Sequence, residues 1–284
     1  MGNSKIFINI FECTAEPTLS EENKQSKEKR FEMKKVLFNV LPSTVLVITL
    51  ILIWTIISEL SIIPQFMLPA PTAVFFAFCK NFPTLFQHSL ITLLETLIGL
   101  LVSIILAFLS ALLMDRFSII KRAVQPLLIV TQTVPTIAVA PIIVLFFGYG
   151  ILPKIILVII CCFFPVTIAL LDGFTTIDKG YLNLLKCMNA TYMQTLFHLK
   201  MPLATPQFFS GLKIAVTYAF ISAVVAEWLG GTAGLGVYMT RVKSAYAFDK
   251  LFASIIFISM ISFLFIKTIE CIRNKTLNRL NIDK

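Results

Sequence analysis

The sequence is poor in charge: only 14% of its 284 residues are Asp, Glu, Lys or Arg, whereas 57% are hydrophobic. Soluble domains carry about 25% charged residues. A chain with so few charges could not cover its apolar surface with polar groups in water. Its mean hydropathy of +0.89 fits the lipid bilayer as solvent. The composition therefore excludes an ordinary soluble protein.

Residue types that carry enzyme chemistry are scarce as well. The two histidines, His88 and His198, stand near no nucleophile or ligand set, and we interpret both as interfacial polar residues. The six cysteines form no CxxC pair and no Cys/His ligand spacing. The sequence also lacks a GxxxxGK[ST] loop, so the chain cannot cradle ATP phosphates itself. We expect no enzyme activity, no metal site and no cofactor.

The net charge of +9 does not indicate nucleic-acid binding, because the basic residues cluster just outside apolar runs and form no stripe interleaved with aromatics. With the amino terminus inside the cell, the inner segments hold 18 of the 24 Lys and Arg residues. The outer segments hold 5, Lys154 among them, and Lys213 lies within a span. This bias predicts that both termini are cytoplasmic.

Six apolar runs are long enough to cross the hydrocarbon, which takes about 20 helical residues. They are residues 36–59, 85–114, 123–147, 151–171, 208–228 and 251–272. The third run contains Pro126, Pro135 and Pro141, which fit either a kinked helix beside a pathway or ordinary membrane-helix prolines. The sequence thus predicts an all-α integral membrane protein of about six transmembrane helices.

The ends of the chain are polar. Residues 1–35 show no helical periodicity, and we predict a disordered cytoplasmic segment there, with Met33 as an alternative start and the first span as a retained anchor. Residues 36–272 form the predicted transmembrane domain, and residues 273–284 form a cytoplasmic tail.

Residues 172–207 form a cytoplasmic loop in which apolar residues recur at three- and four-residue intervals. The spacing predicts two short amphipathic helices, interrupted at Asn189-Ala190 and closed by Pro202 and Pro206. A helix lying in the membrane interface would carry more Lys and Arg on its polar face. A docking surface for a cytoplasmic partner fits the loop better.

Residues 181–236 resemble the signature region of bacterial ABC importer permeases. That family's cytoplasmic loop carries Glu-Ala-Ala, three residues and Gly, followed about a dozen residues later by a hydrophobic residue and Pro. The matching positions here are Asn183-Leu184-Leu185, Asn189 and Met201-Pro202. Further similarity lies in Ser210-Gly211-Leu212-Lys213, in residues 226–230, in Gly234-Leu235-Gly236, and upstream in residues 134–141 and 147–150. Together these matches extend the resemblance over roughly residues 36–272.

The chain departs from the family pattern in the loop. Asn183 replaces the Glu, which removes one charged contact to an ATPase, and Leu184 and Leu185 replace the alanines. Asn189 replaces the Gly. Asn is the non-Gly residue best able to adopt a left-handed turn, so we expect the break between the helices to survive.

The resemblance implies a transporter whose engine is a separate protein. Two permease chains, as a homodimer, would bind two ATPase subunits on the loops of residues 172–207, and an external binding protein would deliver substrate. It also implies a multi-pass protein of a bacterial plasma membrane. The candidate ATPase-coupling residues are Tyr181, Asn183, Leu184, Leu185, Met188, Asn189, Ala190, Tyr192 and Pro202.

The sulfonate, taurine, nitrate and thiamine-pyrimidine-precursor importers form the branch that the sequence resembles most. Residues 227–231 and 234–239 look most like the pyrimidine-precursor members. A permease for an organic anion such as a sulfonate or taurine is the alternative. A secondary transporter is disfavoured because no internal repeat is evident, and a structural membrane anchor would not need the two-helix loop.

Two acids in predicted spans are candidates for the substrate pathway. Glu95 and Glu227 both fall in the outer half of the membrane, where carboxylates are costly and usually face a cavity or a partner. Pro135 and Pro141 are candidates for the same pathway. The alternative is that each acid is neutralised or hydrogen-bonded inside the bundle. With no Lys or Arg expected in the outer half of any span, a neutral or weakly cationic aminopyrimidine is favoured over an organic anion.

Overall fold

The structure is a computed structural model that describes residues 41–42, 44–60, 63–64 and 66–280. Every regular element in these residues is a helix. The chain divides into two compact units, Met1–Pro64 and Gln65–Lys284. The predicted segment of residues 1–35, the start of the first predicted span and the last four residues of the tail lie outside the described part.

The first unit contains one described apolar helix, α1, at Thr44–Glu59. The hydroxyls of Thr49 and Thr55 each donate to a backbone carbonyl one turn earlier, at 2.8 Å. These bonds pair both polar side chains inside the helix, as lipid requires.

The second unit is a helical bundle. Its helices in chain order are α2 (Pro71–Arg116), α3 (Ser118–Thr133), α4 (Thr136–Phe147), α5 (Leu152–Thr175), α6 (Lys179–Cys187), α7 (Tyr192–Thr195), α8 (Met201–Gly230), α9 (Leu235–Ser244) and α10 (Phe248–Leu280), with a π-helical turn at Leu196–Lys200 joining α7 to α8. The helices long and apolar enough to cross a membrane are α2, α5, the continuous stretch Tyr192–Gly230, and α10.

The third predicted span is not one straight helix. α3 and α4 meet at an angle of 103°, because Pro135 has no backbone N–H to continue α3 and biases the preceding residue toward an extended conformation. Val134 has φ −83° and ψ 122°. The described residues therefore hold four membrane-crossing helices, or five if the bent pair counts as one, where the sequence predicted about six in the whole chain.

Small residues let the central helices approach closely. A Cβ added to Gly211 of α8 would lie 2.4 Å from Ala169 Cβ of α5, and one added to Gly99 of α2 would lie 2.6 Å from Val158 Cβ of α5. Membrane helices pack through such small residues, since lipid offers no hydrophobic driving force between them. This packing brings the polar side chains of α2, α5 and α8 within reach of one another.

Candidate substrate pathway and ATPase-docking surface

The two acids proposed for the pathway lie in a buried polar cluster formed by Thr92, Glu95, Lys154, Glu227 and the backbone of residues 233–236. We call it the outer cluster after the side of the membrane on which the sequence predicts it. Lys154 Nζ lies 2.6 Å from Glu95 Oε1 and 3.2 Å from the carbonyl oxygen of Ala233. The side chains of Lys154 and Glu95 are only 4% and 1% exposed. The charge of Glu95 is thus balanced inside the bundle.

Glu227 is held by hydrogen-bond donors from two helices. Thr92 Oγ1 donates to Glu227 Oε1 at 2.7 Å, and the backbone N–H of Gly236 donates to Oε2 at 2.5 Å. A Cβ on Gly234 would lie 2.0 Å from Glu227 Oε1, and one on Gly236 would lie 2.9 Å from Oε2. Glycine at both positions is therefore needed for the backbone to wrap the carboxylate.

The expectation that no Lys or Arg lies in the outer half of a span is wrong. Lys154 stands in the first turn of α5 and is buried. The predicted fourth span, residues 151–171, already included Lys154. Its position inside that apolar run could therefore have shown that it lies within a membrane helix. Placing Glu95 and Glu227 along a substrate pathway stays a prediction. Their contacts give them a further task, which is to fasten the start of α9 to α2, α5 and α8.

A ring pair extends the outer cluster. His88 Nδ1 accepts from the backbone N–H of Gly234 at 3.2 Å, and the His88 and Tyr238 rings are 5.4 Å apart. Burial and, to a lesser extent, the charge of Asp249 raise the pKa of the Tyr238 phenol. Tyr238 therefore stays neutral and packs as an aromatic side chain.

The two pathway prolines are exposed and play different parts. Pro135 stands at the junction of α3 and α4, and Pro141 lies inside α4, where the helix continues. A broken helix at membrane depth needs other groups to satisfy its freed backbone, and such breaks are found beside protein-lined cavities. Of the two prolines, Pro135 is the one that breaks the helix.

The loop of residues 172–207 folds as two helical pieces around Asn189, as predicted. Asn189 has φ 54°. Its N–H donates to the carbonyl of Lys186 at 3.0 Å, and the N–H of Ala190 donates to the carbonyl of Leu185 at 2.9 Å. These two bonds are the Schellman motif that ends a helix with a left-handed residue. Asn does here what Gly does in the family pattern.

The second piece does not end at the prolines, and that prediction is wrong. Thr191 and Gln194 form a capping box that starts α7. A π-helical turn, in which the N–H of Met201 donates to the carbonyl of Leu196, carries the chain into α8. Pro202 lies in the first turn of α8, directly after this π-helical turn, and Pro206 lies one turn further in.

The predicted coupling residues divide by exposure. Tyr181, Leu184 and Met188 lie at three- and four-residue spacing and are 57%, 58% and 69% exposed, and Asn183 and Asn189 are exposed too. Leu185, Ala190, Tyr192 and Pro202 are half-buried. The first three form an apolar face, the α6 face.

Tyr192 belongs to an ion-pair cluster that the sequence did not suggest. Its hydroxyl donates to Asp115 Oδ2 at 2.9 Å, and Lys200 Nζ lies 2.7 Å from Asp115 Oδ1. The guanidinium carbon of Arg116 lies 5.0 Å from the centre of the Tyr192 ring. This clamp, made of Asp115, Arg116, Tyr192 and Lys200, joins the end of α2 to the segment that follows α6.

These features define a multi-pass helical membrane protein with a structured loop between two of its membrane helices. Residues 99–274 match the family described as binding-protein-dependent transport system inner membrane component. The chain belongs to that family, and it is the permease subunit of an ABC importer, a transport component and not an enzyme.

Two relatives share more than a third of their aligned residues with this chain. A probable ABC transporter permease protein of Haemophilus influenzae is 37% identical over 213 residues, covering 75% of this chain and 87% of the relative. The formylaminopyrimidine transport permease protein of Halalkalibacterium halodurans is 36% identical over 238 residues, covering 84% and 95%. Permeases named for aliphatic sulfonates and for taurine match at 24% and 26% identity. The predicted branch of the family is confirmed.

Solved structures share the fold. A chain from the crystal structure of an amino acid ABC transporter with histidines superposes with a TM-score of 0.58 at 18% identity, covering 72% of this chain and 98% of that one. The family and this neighbour imply an ATPase and a substrate-binding protein as partners.

Proposed function

We propose that this permease works as a homodimer with both termini cytoplasmic, and that each copy imports a neutral, amino-substituted pyrimidine. An ATPase subunit docks on the α6 face of each copy. The main support for this docking surface is the α6 face, a row of three exposed apolar side chains on a short helix that ends in the defined turn at Asn189. Protein interfaces bury such apolar anchors at their centre.

The clamp supports a mechanical connection from this docking surface to the membrane helices. Tyr192 and Lys200 lie on the segment that continues directly into α8, and both contact Asp115 at the end of α2. A displacement of α6 and α7 by the ATPase would therefore act on two membrane helices together. The π-helical turn lies between the docking surface and α8, and such turns are frequent at functional sites.

The substrate class is supported by the relative named for formylaminopyrimidine, which aligns along 84% of this chain. It is also supported by charge. In the outer cluster Glu95 already neutralises Lys154, so that lysine is not free to bind an anion. Recognition of a sulfonate calls for a cation or a helix amino terminus.

The docking surface is tested by replacing Met188 with Asp, which places a charge in the α6 face without a buried contact to lose. Binding of the ATPase to the detergent-solubilised permease should weaken by about tenfold or more, since interface anchors contribute on the order of 2 kcal/mol. Met67→Asp is the matched control, because Met67 is 52% exposed and lies outside α6. Equal ATPase affinity in both variants would place the docking surface elsewhere.

The substrate class is tested by calorimetric titration of the cognate binding protein, followed by uptake into proteoliposomes that hold the assembled complex. Formylaminopyrimidine should bind and be transported in an ATP-dependent way. Tight binding of a sulfonate or taurine, with none of the pyrimidine, would instead establish the organic-anion alternative.

A further inference from the structure

Away from the outer cluster, a cavity of about 470 Å³ opens between α3, α5 and α8. Ligand pockets of proteins span roughly 300–1,000 Å³, so the space suits a small organic molecule. None of the acids and prolines predicted for the pathway lines it.

The described lining is mostly apolar, with a few polar side chains and no cationic one. It includes the amides of Gln132 and Gln207, the hydroxyls of Ser210 and Tyr218, and the carboxylate of Asp172. None of the twelve described lining residues is Lys or Arg. This set offers donors and acceptors for hydrogen bonds and one negative charge, but no positive charge that would attract an anion.

One lining side chain has an acceptor without a partner. Gln207 Oε1 is buried and makes no hydrogen bond to any described residue. Because leaving a buried polar atom unpaired is costly, such atoms call for a specific explanation, and a missing ligand is one. An N–H donor on a bound molecule would satisfy it.

The broken helix reaches the same cavity. Gln132 lies in the last turn of α3, directly before the junction at Val134 and Pro135. The carboxyl end of a helix carries partial negative charge. Discontinuous membrane helices use such ends for groups that carry positive charge or donate hydrogen bonds, and use amino ends for anions. The break therefore favours a donor-rich ligand too.

We infer that this cavity is the specificity site of the permease and that it takes an uncharged, amino-substituted heteroaromatic ring. The amides of Gln132 and Gln207 pair with the ring's amino group and adjacent nitrogen, as Gln and Asn pair with adenine. The Tyr218 and Phe164 rings supply flat apolar contact. Asp172 repels sulfonates and other anions. The inference rests on the proposed function and names the groups that select its substrate.

The test measures binding to the permease itself. The permease–ATPase complex, in nanodiscs and without binding protein, is titrated with radiolabelled formylaminopyrimidine and with its N,N-dimethylamino analogue. The unsubstituted ligand should bind saturably and about tenfold more tightly than the analogue, which lacks the N–H donors. Gln207→Leu should weaken ligand binding by about tenfold and abolish the preference over the analogue.

Two further variants keep the result decisive. Gln87→Leu removes an exposed glutamine of α2 outside the cavity and should leave binding unchanged. If Gln207→Leu does not assemble with the ATPase, Gln132→Leu carries the same expectation from the other side of the cavity. Variants that bind both ligands as the wild type does would overturn the inference while pyrimidine uptake stands. A complex that transports only anions would overturn the proposed substrate and the inference together.

Discussion

The outer cluster and the clamp contain ion pairs of almost the same length in different surroundings. The nitrogen–oxygen distance is 2.6 Å for Lys154–Glu95 and 2.7 Å for Lys200–Asp115. The first pair is 4% and 1% exposed, the second 14% and 11%. The first pair joins helices that pack tightly. The second pair joins the end of α2 to the segment that follows α6. Burial, more than distance, decides what the loss of each pair costs.

The largest effect is expected where a buried charge loses its partner. Lys154→Met leaves the Glu95 carboxylate unpaired inside the bundle, and removing one partner of a buried ion pair costs about 3–5 kcal/mol. We expect a strongly reduced yield of folded protein and a lower midpoint of thermal unfolding in detergent.

The matched control is the double variant Lys154→Met with Glu95→Gln, which removes the unpaired charge. Replacing both members of a buried pair is often close to neutral, so most of the lost stability should return. If the double variant is as unstable as the single one, the ion pair is not the reason for the loss.

A smaller loss is expected from the backbone of the same cluster. Gly236→Ala places a Cβ 2.6 Å from the carbonyl oxygen of Val224 and 2.9 Å from Glu227 Oε2. Overpacking of this kind costs about 1–3 kcal/mol. Thermal unfolding of the purified permease measures it. Gly180→Ala is the control, because its Cβ would meet only ordinary contacts at 3.6 Å or more, and equal stability of the two variants would contradict the close fit.

Some features of the fold follow from local sequence, and others do not. Local rules were sufficient for Asn189, whose left-handed turn follows from its side chain, and for the apolar spacing of the α6 face. They also located the prolines of the third span. They could not decide that Pro135 would bend the chain by 103° while Pro141 would not, because neighbouring helices determine which breaks are tolerated.

Partners distant in sequence were beyond local rules. Glu95 and Lys154 are 59 positions apart, and Asp115 and Lys200 are 85 apart. Nothing in a pattern of three or four residues brings them together. The close packing of α2, α5 and α8 does so, and it depends on tertiary structure as a whole.

The clamp should tolerate change better than the outer cluster. Asp115→Asn removes the charge that holds Lys200 while keeping an acceptor for Tyr192, at a cost of about 1–2 kcal/mol. This is at the low end of the roughly 1.5–3 kcal/mol that hydrogen bonds to charged groups contribute, because the Asn side-chain oxygen still accepts a hydrogen bond. Thermal unfolding should change modestly. Uptake per ATP hydrolysed should fall more, if the clamp transmits motion to α2. An unchanged ratio of uptake to hydrolysis would leave the clamp with a structural role alone.

The smallest effect is expected for the pair between Lys213 of α8 and Glu270 of α10, which are hydrogen-bonded and 50% and 30% exposed in the single chain. Lys267 Nζ also lies 2.9 Å from Glu270 Oε2, so Glu270 keeps one cation when the other is removed. The remaining cation keeps the Glu270 carboxylate paired, so the loss of Lys213 leaves no isolated charge. Lys213→Met should therefore leave thermal unfolding of the permease unchanged, and Lys267→Met is the control for removing the other cation.

A loss as large as that of Asp115→Asn would contradict this expectation. It would mean that the face around Lys213 is buried in the assembled protein, and the second permease chain of the proposed homodimer is the partner that would cover it. Cross-linking of the dimer in the same variants separates the two cases. Loss of an ion pair covered by the second permease chain should weaken self-association, and loss of an uncovered pair should not.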